Sequence, residues 1–453
     1  EHENPFRKRR MPNNRCPPFF VDGLQAKERG MEMWKIQEAV DYIEQTQTPR
    51  ERYGKEKLEQ ALEMLGNPQK KLKFVHVAGT NGKGSTASML ACILSEAGYR
   101  TGLYTSPHLV RYHERMQMDG EPISDEDLIR AAQKVQEVCA KLGNPPIVFE
   151  VLTLMALWYF AEKNCEIVVL EVGIGGRLDS TNVIDAPLAA VITQIGLDHT
   201  ETLGNTIEQI AAEKGGIIKP GCEAVMAKQS PEAVQVVQEL CRQQGVRLNL
   251  ADPERLCLIS ESMEGQKLRD KTFGELDLAL LGEHQRRNAA NALETVELLN
   301  RRGLHITEQQ VRDGIAKSRW PARFELLRRN PDFILDGGHN PQCIQAAVDA
   351  LRHYYPGRKV VFLVGMMADK DTERMLGELA QLAQEFVCVG LDSPRAMSAQ
   401  QLCEELSRYQ VPACACDTVP EAVQTAQQKA GSDGIICALG SLYLAGDIRA
   451  LLL

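Results

Sequence analysis

Residues 74–90 read FVHVAGTNGKGSTASML, and the fold of the chain follows from how that stretch is taken. Phe74, Val75, Val77 and Ala78 form the short apolar run of a buried parallel strand, and Met89, Leu90 and Ile93 fall on one side of the helix that follows. Between them, Gly79, Gly82 and Gly84 let the backbone turn tightly and approach a ligand. A strand, a glycine loop and a helix start make an anion cradle, in which backbone N–H groups hold a polyphosphate, a lysine reaches the outer oxygens and a hydroxyl faces a metal. Gly79, Thr80, Asn81, Gly82, Lys83, Gly84 and Ser85 are therefore the candidate nucleotide-triphosphate site. The spacing departs from the commonest phosphate loop, because Gly84 separates Lys83 from Ser85, where a hydroxyl residue ordinarily follows the lysine directly.

From this loop outward, strands and helices alternate: a strand at 101–105, a helix opened by Ser124 and Asp127, an apolar helix at 149–160, and strands EIVVLE at 166–171 and 188–193. That alternation predicts a doubly wound parallel sheet with ligands at the carboxyl ends of its strands. Residues 248–282 read instead as a small β-rich subdomain with Gly265 and Gly274 as turn signals. Helical patterns return at 285–302 and 307–317 and break at Trp320, Pro321 and Ala322. From Asp332 a second α/β alternation begins, with FILDG, KVVFLVG, FVCVG and IICALG as its strands. The expected organisation is an extension at 1–30, a first α/β domain at 31–319 and a smaller one at 320–453, the doubling that 453 residues call for.

A net charge of −9 argues against a nucleic-acid binder, and no run approaches the roughly 18 apolar residues of a membrane span. The basic residues 7–10 are followed by a polar, Pro-rich stretch where a secretory signal would be apolar, so the expected location is the cytoplasm. The 13 cysteines are scattered singly in the manner of reduced core thiols, and the close pair Cys414 and Cys416 lacks the partners of a zinc site.

A bound triphosphate brings Mg2+, which takes few protein oxygens and leaves the rest of its octahedron to water and phosphate. Glu171 closes the apolar strand EIVVLE and Ser106 lies just past GLYT, both where a parallel sheet shares an edge with the phosphate loop. By spacing alone, each is as readily a surface carboxylate or a turn serine. His199 and Lys214 read by themselves as a structural histidine and a solvated helix lysine.

The motifs in their order resemble folylpolyglutamate synthase and dihydrofolate synthase, the folate branch of the Mur ligases. They are GTNGKGS, SPHLVRYHER (106–115), EVGIGGRLDSTN (171–182), LDHTETLG (197–204), EKGGIIK (213–219), HQRRNAANA (284–292), WPARFE (320–325), DGGHNP (336–341), GMMADKD (365–371) and GSLYLAG (440–446). The resemblance runs from Met33 to Leu453. It implies two domains, an ATP-binding Mur-ligase-like one and a C-terminal glutamate-ligase one. It also implies that Ser106 and Glu171 hold one Mg2+, that His199 holds a second, and that Lys214 is carbamylated. Asn288, Arg323 and Asp336 match residues that touch ATP, His339 and Ser441 match positions near the incoming glutamate, and Phe149, Glu150, Leu178 and Asp179 match pteroate-facing segments. Lys83, Lys214 and His339 are the catalytic candidates. Gly215 and Gly338 stand where the family usually has alanine.

The activity so implied is ATP-dependent ligation of L-glutamate to a folate, or to dihydropteroate, through an acyl phosphate, by a monomer. A cell-wall Mur ligase would carry a UDP-binding domain before the phosphate loop, whereas the residues ahead of Gly79 read as helices of the ATPase sheet. A phosphate-loop switch protein would have no use for a second α/β domain bearing its own Arg and Asp motifs.

Overall fold

The computed structural model describes residues 34–46, 54–143 and 146–453, so the extension expected at 1–30 lies outside the described residues. The first domain is built on an eight-stranded sheet: β1 Lys73–Ala78, β2 Thr101–Tyr104, β3 Met116–Met118, β4 Glu121–Pro122, β5 Ile167–Glu171, β6 Ala189–Ile192, β7 Glu223–Ala227 and β8 Leu248–Ala251, in the order β4-β3-β2-β5-β1-β6-β7-β8. All neighbours are parallel except the β2–β3 and β3–β4 pairs at one edge. Strands β2, β5 and β6 are buried along their whole length, as the unbroken apolar runs VVLE and AAVI require when helices cover both faces. The chain goes from β1 to β2 and β5 on one side and then returns to β6 on the other. The phosphate loop therefore leaves the sheet beside its topological switch point, where the flanking helices part.

Helix Val148–Glu162 is apolar almost all round and lies in one core with Leu128, Val135, Phe74 and Tyr104. Helix Asp125–Lys141 starts where expected, with Ser124 Oγ accepting from Asp127 N at 3.2 Å. The β-rich piece is smaller than its sequence implied. Leu248–Ala251 joins the main sheet as β8, and only β9 Cys257–Ser262, β10 Gly265–Asp270 and β11 Gly274–Leu278 form the separate antiparallel sheet.

The second domain holds β12 Glu325–Arg328, β13 Asp332–Leu335, β14 Val360–Val364, β15 Ala383–Val389, β16 Ala413–Cys416 and β17 Ile435–Leu439, ordered β12-β13-β17-β14-β15-β16. Its parallel body contains the four expected strands. β12, an antiparallel edge, and β16, a half-buried edge reading ACAC, carry too weak an apolar pattern to be read from sequence. The fold is thus two doubly wound α/β domains. Among the described residues no helix is long and apolar enough to cross a membrane, and the cysteines are free thiols.

Candidate active site

The phosphate loop is shaped by what would collide with it. A Cβ at Gly79 would lie 1.8 Å from Thr193 Oγ1, and one at Gly82, where φ is +85°, would lie 2.2 Å from Asn288 Oδ1. Thr193 Oγ1 donates to Asn81 O at 2.8 Å, and Thr80 Oγ1 donates to Gly196 O at 3.0 Å, so β6 and the loop after it fix the curve. The departure in spacing has a steric reason too: a Cβ at Gly84 would sit 2.7 Å from the Trp320 indole, which reaches in from the start of the second domain. The first N–H groups of helix Lys83–Glu96 have no acceptor within the helix and face the loop's mouth.

Around Lys83 the charged groups converge. Its Nζ donates to Thr80 O at 3.2 Å, and its charge acts on Glu171, Lys214 and His199 alike. Glu171 is buried at the end of β5, with Oε2 accepting from Ser106 N at 3.0 Å. Burial pushes its carboxyl above the usual range, and Lys83 and the Ser106 N–H pull it back. Lys214, 4 % exposed, donates from Nζ to Gly79 O at 2.9 Å, so it is not a solvated helix lysine. Burial, and then Lys83, lower its pKa to about 7. His199 occupies a left-handed conformation, with φ of 50°, at the start of a short helix; burial lowers its pKa although Asp198 opposes this.

This donor set fits Mg2+. A buried carboxylate and a serine at adjoining strand ends leave most of an octahedron to phosphate and water, and Glu171 is a carboxylate that gains from a cation. A second ion at His199 would need an anionic partner, which neutral or ammonium Lys214 is not.

The second domain faces this cluster with two loops held by one side chain. Asp336, at the end of β13, accepts from Phe324 N at 2.8 Å through Oδ2 and from Gly338 N at 2.7 Å through Oδ1. It therefore clamps WPARF to DGGHN, and both its oxygens are occupied by backbone. A Cβ at Gly338 would lie 2.7 Å from Asp336 Oδ1, so the glycine there goes with a tight clamp; at Gly215 a Cβ would meet only the movable Leu240 side chain, at 2.4 Å. Arg323 stays at the cleft, its Nη1 donating to Ala322 O at 2.9 Å, and its charge acts on Asp336, Glu171 and His284. His339 Nδ1 lies 3.1 Å from Gly337 O, and burial lowers its pKa to about 4. Ser441 caps helix Leu442–Leu452 by accepting from Tyr443 N at 3.1 Å. Asn288 donates to Gln285 Oε1 at 3.0 Å below the phosphate loop.

Sequence reasoning missed the residues that join the halves. Asp198 takes Lys370 Nζ at 2.7 Å and Asn340 Nδ2 at 3.2 Å, and lies 3.9 Å from His339 Nε2. Burial would raise the Asp198 carboxyl, but the hydrogen bond and charge of Lys370, with His199 and His339, hold it at about 2. Asn81 of the phosphate loop is gripped as well, donating to Gln342 Oε1 at 2.9 Å and accepting from Asn340 Nδ2 at 3.0 Å. The signal was present only as letters inside LDHT, DGGHNP and GMMADKD.

Of the residues matched to pteroate-facing segments, Phe149 closes on Gly173, where a Cβ would lie 2.5 Å from the ring, and Leu178 is 69 % exposed. Asp179 accepts from Ile174 N and Thr181 N, both at 3.0 Å. Glu150 is buried and accepts from Ile147 N at 3.1 Å, directed toward its own helix start.

A phosphate loop with a buried carboxylate and lysine on one sheet, faced across a cleft by Arg and His loops on a second, defines a two-domain ATP-dependent amide ligase. The Mur ligase middle domain model matches residues 77–296 and the Mur ligase, glutamate ligase domain model matches 322–442. The dihydrofolate synthase/folylpolyglutamate synthase of Bacillus subtilis is 34% identical over 87% of this chain and 94% of its own length. The folylpolyglutamate synthase of Lacticaseibacillus casei is 34% identical over 86% and 92%. A Mycobacterium tuberculosis folylpolyglutamate synthase complexed with ADP superposes with a TM-score of 0.85 at 30% identity, covering 92% of this chain and 98% of that one. Escherichia coli FolC in complex with DHPP and ADP gives 0.80 at 30% identity, covering 92% and 97%. The chain belongs to the folylpolyglutamate synthase/dihydrofolate synthase family of Mur-type ligases.

Proposed function

We propose that this ligase joins L-glutamate to the carboxylate of a folate in the cleft between its domains, at the cost of one ATP. The observation that carries the reading is the meeting of Lys83, Glu171, Lys214 and His199 with Arg323 and His339 from the other domain around the Asp198–Lys370 pair. The triphosphate lies in the loop 79–85 against the N–H groups of 82–85, those of Thr80 and Asn81 being held by Gln194 O, and Lys83 neutralises the oxygens of the phosphoryl group as it moves. The folate carboxylate attacks the γ-phosphorus in line and ADP departs, leaving an acyl phosphate. The amine of glutamate then attacks the acyl carbon, and phosphate leaves from the tetrahedral intermediate. With Gly337 O accepting the Nδ1 proton and burial keeping the ring neutral, His339 presents an unprotonated Nε2 that can accept a hydrogen bond from the incoming amino group and orient it. An acyl phosphate hydrolyses in water, and the closed second domain keeps water out.

Mg2+ held by Glu171 and Ser106, and a second ion at His199, would supply positive charge that lets two anions approach. Carbamylation of Lys214 would furnish the missing anion at His199. It is supported by a burial-lowered pKa of about 7, because CO2 adds only to the neutral amine. Asn288, Asp336 and Ser441 act by shaping the loops that hold ATP and glutamate, while Phe149, Leu178 and Asp179 face the acceptor and Glu150 supports them.

An ADP-release assay tests the reading and separates the acceptors. Release is expected with tetrahydrofolate only when glutamate is present, and the same assay with dihydropteroate decides whether the first glutamate is also added here. ATP turnover that ignores both acceptor and glutamate would favour a switch-type ATPase and overturn the proposal.

A further inference from the structure

His76 sits fully buried in β1, three residues before the phosphate loop, and no part of the chemistry above uses it. Its Nε2 lies 2.9 Å from Thr181 Oγ1, and Thr181 Oγ1 lies 2.6 Å from Asp179 Oδ1. The direction of the chain can be deduced. Asp179 accepts from Ile174 N through Oδ2 and from Thr181 N through Oδ1, so its carboxylate acts as an acceptor and the Thr181 hydroxyl donates to it. Thr181 can then only accept from His76, which puts the ring proton on Nε2. The other nitrogen, Nδ1, has no hydrogen-bond partner among the described residues. Burial keeps the ring neutral, lowering its pKa to about 3, which the single Nε2 proton requires.

A leucine would fill this place without leaving a ring nitrogen unsatisfied, so packing alone does not account for a histidine here. What the ring does is donate one proton, and that donation leads to the loop 173–181. We infer that His76 is a positioning residue for the acceptor substrate: through Thr181 it sets the Asp179 carboxylate, and so the shape of the GGRLDST loop, from the strand that also carries the phosphate loop. The inference rests on the reading of Asp179 as acceptor-facing. It places one rigid element under both the carboxylate that attacks and the phosphate that is attacked.

The test is steady-state kinetics with tetrahydrofolate on folded, purified variants. His76→Leu and Thr181→Val are each expected to raise KM for the acceptor about tenfold, the size of one hydrogen bond in a chain ending on a charge, with KM for ATP unchanged. His76→Gln, whose amide N–H can stand in for Nε2–H, restores most of the loss. The double variant His76→Leu/Thr181→Val is no worse than either single one, since both break the same chain. Asp179→Asn serves as the control on the underlying reading. If it raises acceptor KM while Thr181→Val and His76→Leu do not, the inference is overturned and the acceptor loop stands. If Asp179→Asn leaves acceptor KM unchanged, the acceptor reading fails and the inference with it. A defect in His76→Leu that falls equally on ATP and acceptor, or that Gln does not relieve, would also overturn it, by showing a purely structural role.

Discussion

The two domains each place a strand-to-helix loop at the same cleft, and the loops are built in opposite ways. The one after β1 ties the Thr80 and Asn81 amides to Gln194 O, at 2.8 and 3.1 Å, and leaves those of 82–85 to a ligand: glycines remove side chains, and Thr193 and Asn288 set the curve from outside. In the loop after β13 the amides are used internally. Gly337 N donates to Ala322 O at 2.8 Å and Gly338 N donates to Asp336, so this loop offers side chains, His339 and nearby Arg323, on a rigid base. One α/β plan thus serves binding through backbone in the first domain and positioning of side chains in the second.

The sharpest way to break that contrast is to compare the charged residue of each loop. Lys83→Ala is expected to lower kcat by a factor of about 10^2 or more with the melting temperature unchanged, if Lys83 acts on the moving phosphate as proposed, since its bond to Thr80 O is long at 3.2 Å. Near-normal turnover would remove the phosphate-loop reading. Asp336→Ala should do the reverse in kind. Two buried N–H groups lose their acceptor, which costs about 3 kcal/mol of stability, seen as a lowered midpoint in denaturant melts. An Asp336→Ala enzyme as stable as the parent but weak in ATP binding would make Asp336 a nucleotide contact and erase the distinction.

A smaller effect is expected where the two loops meet. Asp198→Asn removes the charge that holds Lys370 and leaves Asn340 a poorer partner, so the closed arrangement is less populated and kcat/KM for glutamate falls about tenfold. Lys370→Ala should match it, and the pair together should not add. Additive losses would mean that the two residues act separately.

The smallest expected effect is a pH dependence. Lys214 has a folded pKa lowered from 10.5 to about 7, so its neutral, CO2-reactive form grows as pH rises through about 7. Stimulation by added bicarbonate, after CO2 has been stripped from the buffer, should accordingly increase by a few-fold across that range and be missing in Lys214→Ala. By the same shift the unfolded chain binds more protons between about 7 and 10.5, so this group's contribution to stability also rises with pH there. Stimulation that is flat with pH, or present in Lys214→Ala, would dissociate the lysine from it.

The contrast between the loops also marks what could be read beforehand. The phosphate loop announced itself because its physics is local: an apolar run, glycines and a lysine within a dozen residues. The parallel strands IVVLE, VVFLV and IICAL were legible for the same reason, being apolar on both faces. β12 and β16 were not, since edge strands are half-covered and their patterns fade, and β8 was legible as β structure but not as a strand of the main sheet. Residue identity alone favoured a solvated Lys214, and only its tertiary contact with Gly79 O reverses that. Asp198 and Lys370 are 172 positions apart, and nothing in either neighbourhood signals the other. Asp336 was visible as a motif residue, but the two backbone hydrogen bonds it accepts, from Phe324 N and Gly338 N, depend on how the chain folds back after WPARF.

The most direct measurement of the central claim follows oxygen. Tetrahydrofolate whose acceptor carboxylate carries 18O at both oxygens is incubated with enzyme, ATP, Mg2+ and glutamate, and the released inorganic phosphate is analysed by mass. Attack of the carboxylate on the γ-phosphate leaves one labelled oxygen bridging the acyl group and phosphorus, and amide formation carries it away with phosphate. One 18O atom in each phosphate released is the predicted result; phosphate free of label would contradict an acyl phosphate formed between these two domains.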